Sequence, residues 1–352
     1  MSSVGLSDIT IKCGDPALFT QPGGGYYLDM RPAIRLVESG YHGPRDEAGV
    51  PLTRYESGTD HYNAGTIAQY ALALYEQALT VGRSPELDRK LRAQLSTLMR
   101  IVEAGGDWSG FYLCDWNSKK YPELRAPWAS ALSQGVAISA LLRGYRLFGD
   151  ESMLRTAEAC LDAFDRPLEK GGVRFIDRCG HVWFEEYPTN PPLHVLNGFI
   201  FALWGVLDYA KVTNSQKAWK WWNAGSETLK GHIADFDCGY WSVYDLRHRE
   251  LVSIYYHLNI HVPQLEAMYL LTGDDAFKRY SERWSRFGKS PWRRCVWWAA
   301  LRFQARTRAL RARRHVSSAE HTGSIRAQES LPVTDESITG SKDRQVAWSS
   351  ER

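Results

Sequence analysis

The chain has 352 residues, of which 44% are hydrophobic and 24% charged, and a formal net charge of +3. That composition describes a globular chain of one large domain or two smaller ones. It excludes a bilayer span, because no apolar run has the length required and the longest stretch, 193–209, is interrupted by Asn197 and Gly198. A sum of +3 neither favours nor excludes a polyanionic partner, since charge distribution outweighs the total.

The opening residues 1–60 are rich in Gly and Pro and weakly periodic, and read as a loop-rich segment packed on the domain that follows. Helical periodicity starts near Asn63, where Ile67, Tyr70, Ala71, Leu74 and Ala78 recur at three-four spacing. A second helix is predicted from Pro85 to Val102, with Pro at its start and Gly105-Gly106 beyond its end. The stretch 107–127 is irregular and aromatic. Helices are predicted over 128–148 and 151–165, and a hairpin over 171–185 with its turn at Cys179-Gly180. Further helices follow at 193–212, 214–234, 257–272 and 274–287. Paired antiparallel helices of this length suggest a mainly α fold, an α/α toroid with small β-hairpins and loops forming the cleft; no repeat of fixed length is evident. The domain therefore spans 61–288.

After Phe287 the composition changes. Residues 289–316 are Arg-rich, with Trp292, Trp297 and Trp298 interspersed. Three readings stand: a basic amphipathic helix on an anionic membrane face, a contact for an acidic polymer, or a tail helix covering part of the core. Residues 317–352 carry few apolar side chains and are expected to be disordered. The six cysteines are scattered, without CxxC or zinc spacing, and are read as free thiols of a reducing compartment. The N-terminus lacks the basic and apolar regions of a signal peptide, so a cytoplasmic location is expected, with 289–314 as a contact to the inner membrane face.

The chain holds 14 Trp and 18 Tyr, which suit either a large core or a cleft in which sugar faces stack on aromatic rings. Two segments concentrate polar chemistry. Trp183-Phe184-Glu185-Glu186-Tyr187-Pro188 places two acids beside aromatics at the end of a predicted strand. Gly239–His248 packs Tyr240, Tyr244, Asp245, Arg247 and His248 into ten positions, with Tyr255, Tyr256, His257 and His261 shortly after. Read as residues alone, both segments fit a structural polar network as well as a site.

The ordered series Gly105-Gly106-Asp107-Trp108, Trp128–Gly135, Glu185–Thr189, Val195–Phe199 and Tyr244–His248 resembles the C-terminal catalytic domain of D-glucuronyl C5-epimerases. The resemblance covers about two-thirds of the chain, from Gly49 to Trp284. It implies inversion of C5 in a glucuronate residue of a heparosan-like polymer, giving iduronate. It carries catalytic roles onto Tyr187, Tyr244, Tyr256 and Glu186, and a carboxylate clamp onto Arg247. The residue types suit that chemistry. The C5 proton lies next to a carboxylate, so its removal builds a second negative charge that a cation must stabilise. Two acid/base groups must flank the ring. Tyrosine, with a reference pKa near 10, needs its anion stabilised to act as a base. Asn197, His257, Tyr62, Trp108 and Trp128 are taken as substrate-binding residues, each with a packing role as the alternative.

The chain departs from the family's pattern in three ways. Only about sixty loop-rich residues precede the first helix, where animal members carry a β-rich domain. The Tyr244–Tyr256 interval is short, so Tyr255 and Tyr256 compete for the third tyrosine position. The basic tail has no counterpart. Neither cofactor nor metal is expected. The partners expected are a glucuronate-containing polysaccharide, no nucleic acid, a membrane surface at 289–314 and a second copy of the chain in a homodimer. A uronate lyase, which abstracts the same proton, and a non-catalytic glycan-binding protein are the rival readings.

Overall fold

Most of the long helices begin at a side chain that takes up an orphan amide of the first turn; the one at Leu196–Thr213, which follows Val195, does not. In the computed structural model, which describes residue 5 and residues 8–54 and 58–304, those starts set the architecture. Two short helices, α1 (Pro16–Phe19) and α2 (Ala33–Glu38), and the two-stranded pair β1 (Thr53–Arg54) and β2 (Asp60–His61) come first. Asn63 caps α3 (Ala64–Val81), and Ser84 caps α4 (Pro85–Ile101), with Pro85 at its first position. Strands β3 (Leu113–Cys114) and β4 (Trp128–Ala129) pair antiparallel, and Ser130 then caps α5 (Ala131–Phe148). Gly149 adopts a left-handed conformation to end α5, and Asp150 caps α6 (Glu151–Asp162). The hairpin β5 (Arg174–Ile176) and β6 (Val182–Phe184) precedes α7 (Leu196–Thr213) and α8 (Gln216–His232). The last helices are α9 (Ile254–Tyr256), continued through a π-turn at His257–His261 into α10 (Val262–Thr272), then α11 (Asp275–Lys289) and a helical stretch over 291–304.

The chain is mainly helical, and its helices sort into two layers. Helices α3, α5 and α7 are buried almost all round, whereas α4, α6 and α8 bury one face and expose the other. Helix α5 packs between α3 and α7, and each of these three pairs with the helix after it. The α5–α7 crossing is close because both helices offer glycine there. A Cβ on Gly205 would stand 2.2 Å from the Gly135 carbonyl oxygen, and one on Gly135 would stand 2.5 Å from the Ala202 Cα. Eight residues further along α5 and three along α7, Arg143 and Asp208 form a buried ion pair at 2.6 Å.

That ion pair also anchors the N-terminal segment. Arg143 donates to the carbonyls of Gly24 and Gly25, at 3.0 and 2.9 Å, and the Tyr27 hydroxyl donates to Asp208 at 2.7 Å. Tyr26, Tyr27 and Leu28 are fully buried. The segment lacks sequence periodicity because it is extended chain held by backbone contacts, not because it is peripheral.

Three predicted boundaries shift. The helix expected from 128 starts at Ala131, since Trp128-Ala129 is spent on β4; that expected from 193 starts at Leu196, since Val195 bridges Asp245. The helix expected to run from 151 to 165 ends at Asp162, and a 3-10 turn covers Ala163–Asp165. In the basic segment, residues 291–304 form a helix whose Trp297 indole donates to the Val252 carbonyl at 2.8 Å, while Trp292, Trp298 and Phe303 remain exposed. Residues 305–352, including the expected disordered tail, lie outside the described residues. No helix among the described residues is long and apolar enough to cross a membrane.

Candidate active site

Hairpin β5–β6 and the loop after α8 converge on the start of α7. Glu185, just past β6, accepts the backbone N–H of His194 at 3.0 Å and contacts the His194 Nδ1 at 2.6 Å. This places the 186–193 turn over α7. The loop that carries Tyr244 is stitched to the same end: Leu196 N–H donates to the Tyr244 carbonyl at 3.1 Å, and Leu246 N–H donates to the Leu193 carbonyl at 3.0 Å. Two segments some sixty residues apart in sequence thus meet at one helix terminus.

The two neighbouring acids diverge in role. Glu185 is spent on His194. Glu186 turns inward, where the Tyr244 phenol donates to its Oε1 at 3.2 Å. It fits because residue 198 is glycine: a Cβ there would stand 2.3 Å from Glu186 Oε2 and 2.6 Å from its Cβ. Tyr256 joins edge-on to Tyr244, with centroids 6.0 Å apart. Tyr187 stacks obliquely on Trp128 at 5.8 Å and on Tyr121 at 4.7 Å. Glu186, Tyr187, Tyr244, Tyr256, Tyr121 and Trp128 are all buried.

The electrostatics hold Tyr244 and Tyr256 protonated. Burial, followed by the Glu186 carboxylate, keeps Tyr244 well above the usual tyrosine range, and the same two causes act on Tyr256. Asn197, fully buried, lies beside Tyr256 and biases it weakly the other way, although neither amide atom makes a hydrogen bond of normal geometry with a described residue. Of the two adjacent tyrosines, Tyr256 faces this cluster; Tyr255 turns toward Tyr41.

A basic rim lies over the phenols. The Lys120 ammonium sits 4.5 Å from the Tyr244 ring centroid and 5.2 Å from that of Tyr121, and pairs with Glu250 at 3.2 Å. The His248 ring stacks on Tyr121 at 6.2 Å. Arg247 is partly exposed, with Nη1 donating to the Pro191 carbonyl at 3.0 Å and to Glu123 at 3.3 Å. A carboxylate-bearing ligand reaching this rim would meet Lys120 and Arg247 before the phenols.

Three residues expected to bind substrate lie elsewhere. His257 is fully buried: Ser242 Oγ stands 2.7 Å from its Nδ1, its Nε2 is 2.9 Å from the Trp284 carbonyl, and it stacks on Trp241 at 4.0 Å. Both ring nitrogens are committed to the interior, so the expected bond to a sugar hydroxyl is replaced by a packing role. Tyr62 donates to Asp46 at 2.9 Å under the Arg100 guanidinium, and Trp108 packs on Phe111 and Arg166. Neither touches the tyrosine cluster through these contacts. Lys120 and Glu123 were not singled out from the sequence. Their signal is the run Lys119-Lys120-Tyr121-Pro122-Glu123 inside the aromatic 107–127 loop, which α5 holds through Gln134: the Tyr112 N–H donates to Gln134 Oε1 at 2.7 Å, and Gln134 Nε2 donates to the Gly110 carbonyl at 2.9 Å.

Residues 105–286, more than half the chain, match the family described as D-glucuronyl C5-epimerase C-terminus. The chain belongs to that family. Among curated relatives, it is 33% identical over 175 residues to D-glucuronyl C5-epimerase of Caenorhabditis elegans, covering 45% of this chain and 28% of that protein. It is 33% identical over 160 residues to the uncharacterized protein MJ1128 of Methanocaldococcus jannaschii, covering 45% of this chain and 51% of that one. The alignments thus span about half of the archaeal relative and under a third of the nematode one. The family match contains Glu186, Tyr187, Tyr244, Arg247 and Tyr256, but it stops before the 291–304 helix.

Proposed function

We propose that this protein epimerises C5 of glucuronate residues within a polysaccharide. The observation that carries the reading is the buried Glu186–Tyr244 hydrogen bond with Tyr187 and Tyr256 beside it, beneath the Lys120 and Arg247 rim. In this reading the two-layer helix pairs form part of an α/α toroid, with the loop cluster at its cleft end.

The uronate carboxylate docks on Arg247 and Lys120, which offset the charge that builds as C5 loses its proton. Tyr187, as phenolate, takes that proton on one face and becomes a phenol. Tyr244 gives its phenolic proton to C5 from the opposite face and is left as a phenolate. Burial and the Glu186 carboxylate keep Tyr244 protonated until that moment, and Lys120, 4.5 Å from its ring, then stabilises the phenolate. Proton exchange with solvent resets the pair. No bond to the C4 substituent breaks, which is what separates this path from a lyase.

The test is incubation with heparosan or N-sulfated heparosan in heavy water. Deuterium at C5 with unchanged chain length is the expected result. Shortened chains with unsaturated uronate ends would replace the reading with a lyase. Binding to glucuronate polymers with neither outcome would leave a binding protein.

A further inference from the structure

The sequence spacing suggested no metal site, yet the fold gathers Asp177, His181 and His232 at the outer end of the β5–β6 hairpin. One ligand atom from each lies within 4.8 Å of the others. We propose that these three residues bind a divalent transition-metal ion of the zinc type, which ties the hairpin to the C-terminal end of α8.

The argument rests on a surplus of lone pairs. His232 Nδ1 faces the Asp235 carboxylate at 2.8 Å, so that nitrogen carries the ring's hydrogen and Nε2 is left with a lone pair. His232 Nε2 points at His181 Nδ1 across 3.2 Å, and the same Nδ1 lies 2.8 Å from Asp177 Oδ2. One imidazole hydrogen therefore stands against two acceptors. A cation placed between the three atoms takes all three lone pairs at once.

The donor set and spacing suit the ion. Two imidazole nitrogens and one carboxylate oxygen are zinc-type ligands. Tetrahedral bonds of about 2.0–2.1 Å separate ligand atoms by about 3.3 Å, close to the observed 2.8 and 3.2 Å. Asp177 is already oriented: its Oδ1 accepts the backbone N–H groups of Cys179 and His181, at 2.8 and 2.9 Å, leaving Oδ2 for the ion. Asp235 supplies the carboxylate–histidine support that fixes the tautomer of a metal-bound imidazole. All three residues are only partly buried, so the ion has an entry path and a fourth position open to water.

The site also has a mechanical consequence. His232 packs against Trp183 at 5.2 Å, and Trp183 stacks on His194 at 4.2 Å. Trp183 belongs to β6, which runs directly into Glu185-Glu186-Tyr187. The ion would therefore brace the strand that delivers two of the site residues, beside the existing bond from Val182 N–H to Thr228 Oγ1 at 3.0 Å. Metal binding itself does not depend on the proposed reaction.

The test uses the full chain without an affinity tag, stripped with chelator and titrated with Zn(II) against a chromophoric indicator. One equivalent is expected, lost in His232→Ala and in the near-isosteric Asp177→Asn, and kept in Cys179→Ser and Cys295→Ser. Asp235→Asn should weaken binding by about 10- to 100-fold. Co(II) should give the visible bands of a four-coordinate N/O site without a thiolate charge-transfer band. Zn(II) should raise the melting temperature of the wild type and leave that of His232→Ala unchanged. Absence of bound metal, stoichiometry unchanged in both ligand variants, or a thiolate band would overturn the proposal.

Discussion

Glu186 and Gly198 occupy the same space by division: the carboxylate lies where any Cβ at position 198 would stand, 2.3 Å from its Oε2. The acid that polarises Tyr244 and Tyr256 is therefore positioned by the absence of a side chain on the first turn of α7. Gly198→Ala should improve the local helix by about 1 kcal/mol but push Glu186 outward. A displacement near 1 Å can cost about 100-fold in rate, so C5–deuterium exchange should fall by about that factor. Crowding of the Glu186 Cβ, 2.6 Å from the new methyl, costs about 1–3 kcal/mol and offsets the helix gain. Exchange at the wild-type rate would separate Glu186 from the chemistry.

Tyr244→Phe removes the phenol and leaves the ring packing, so exchange should vanish while the circular dichroism spectrum holds. A second readout is stability in alkali. Tyr26, Tyr27, Tyr112, Tyr244 and Tyr256 are all held protonated by burial above the usual range. From about pH 10 the unfolded chain releases these protons while the folded chain keeps them. Stability should be full below that pH and fall as pH rises, and Tyr244→Phe should flatten the fall. Urea midpoints across the alkaline range measure it.

The opposite sign applies to His257. Burial lowers it from 6.5 to about 4, and His261 is lowered as well. Below its ordinary value the unfolded chain takes up a proton that the folded chain refuses, so stability is complete above pH 6.5 and declines toward pH 4. The His257 contribution to this decline is about 3 kcal/mol. Urea midpoints across that window should follow the decline, and His257→Asn should reduce its steepness.

The Arg143–Asp208 pair predicts a stability effect without a direct catalytic one. Arg143→Met leaves Asp208 buried without its counter-charge, with the Tyr27 hydroxyl still donating to it, and releases the Gly24 and Gly25 carbonyls, at a cost of about 3–5 kcal/mol. The double variant with Asp208→Leu should recover part of that loss. Chemical denaturation of the three chains decides it; equal destabilisation of single and double variants would contradict the pairing argument.

The helical half of the fold was legible because the long helices announce themselves by their apolar period. Asn63, Ser84, Ser130, Asp150 and Ser215 add side-chain caps at the starts of α3, α4, α5, α6 and α8. Tyr26-Tyr27-Leu28 was not legible, since extended chain packed on helices has no period and its partners, Arg143 and Asp208, are more than a hundred residues away. The site divides in the same way. Tyr187, Tyr244 and Glu186 stand in motifs, and the fold brings them together. Lys120 reaches Tyr244 through space across loops, and no spacing rule reports that. Asp177 and His181 share a short turn, but His232 joins them only through the docking of α8, which is why a search for ligand spacing passes over them.

The helix at 291–304 gives the chain's boundaries a different meaning. Trp297 and Gln304 grip the 249–252 stretch, through the Val252 carbonyl at 2.8 Å and the Leu251 N–H at 3.3 Å. That stretch is hydrogen-bonded to Tyr244, whose N–H donates to the Glu250 carbonyl at 2.7 Å. A protein trimmed where the family match stops, at residue 286, would keep every residue in the motifs and lose the clasp on the loop that aims one of them. The stretch recognisable as a relative therefore ends short of the helix that clasps its Tyr244 loop.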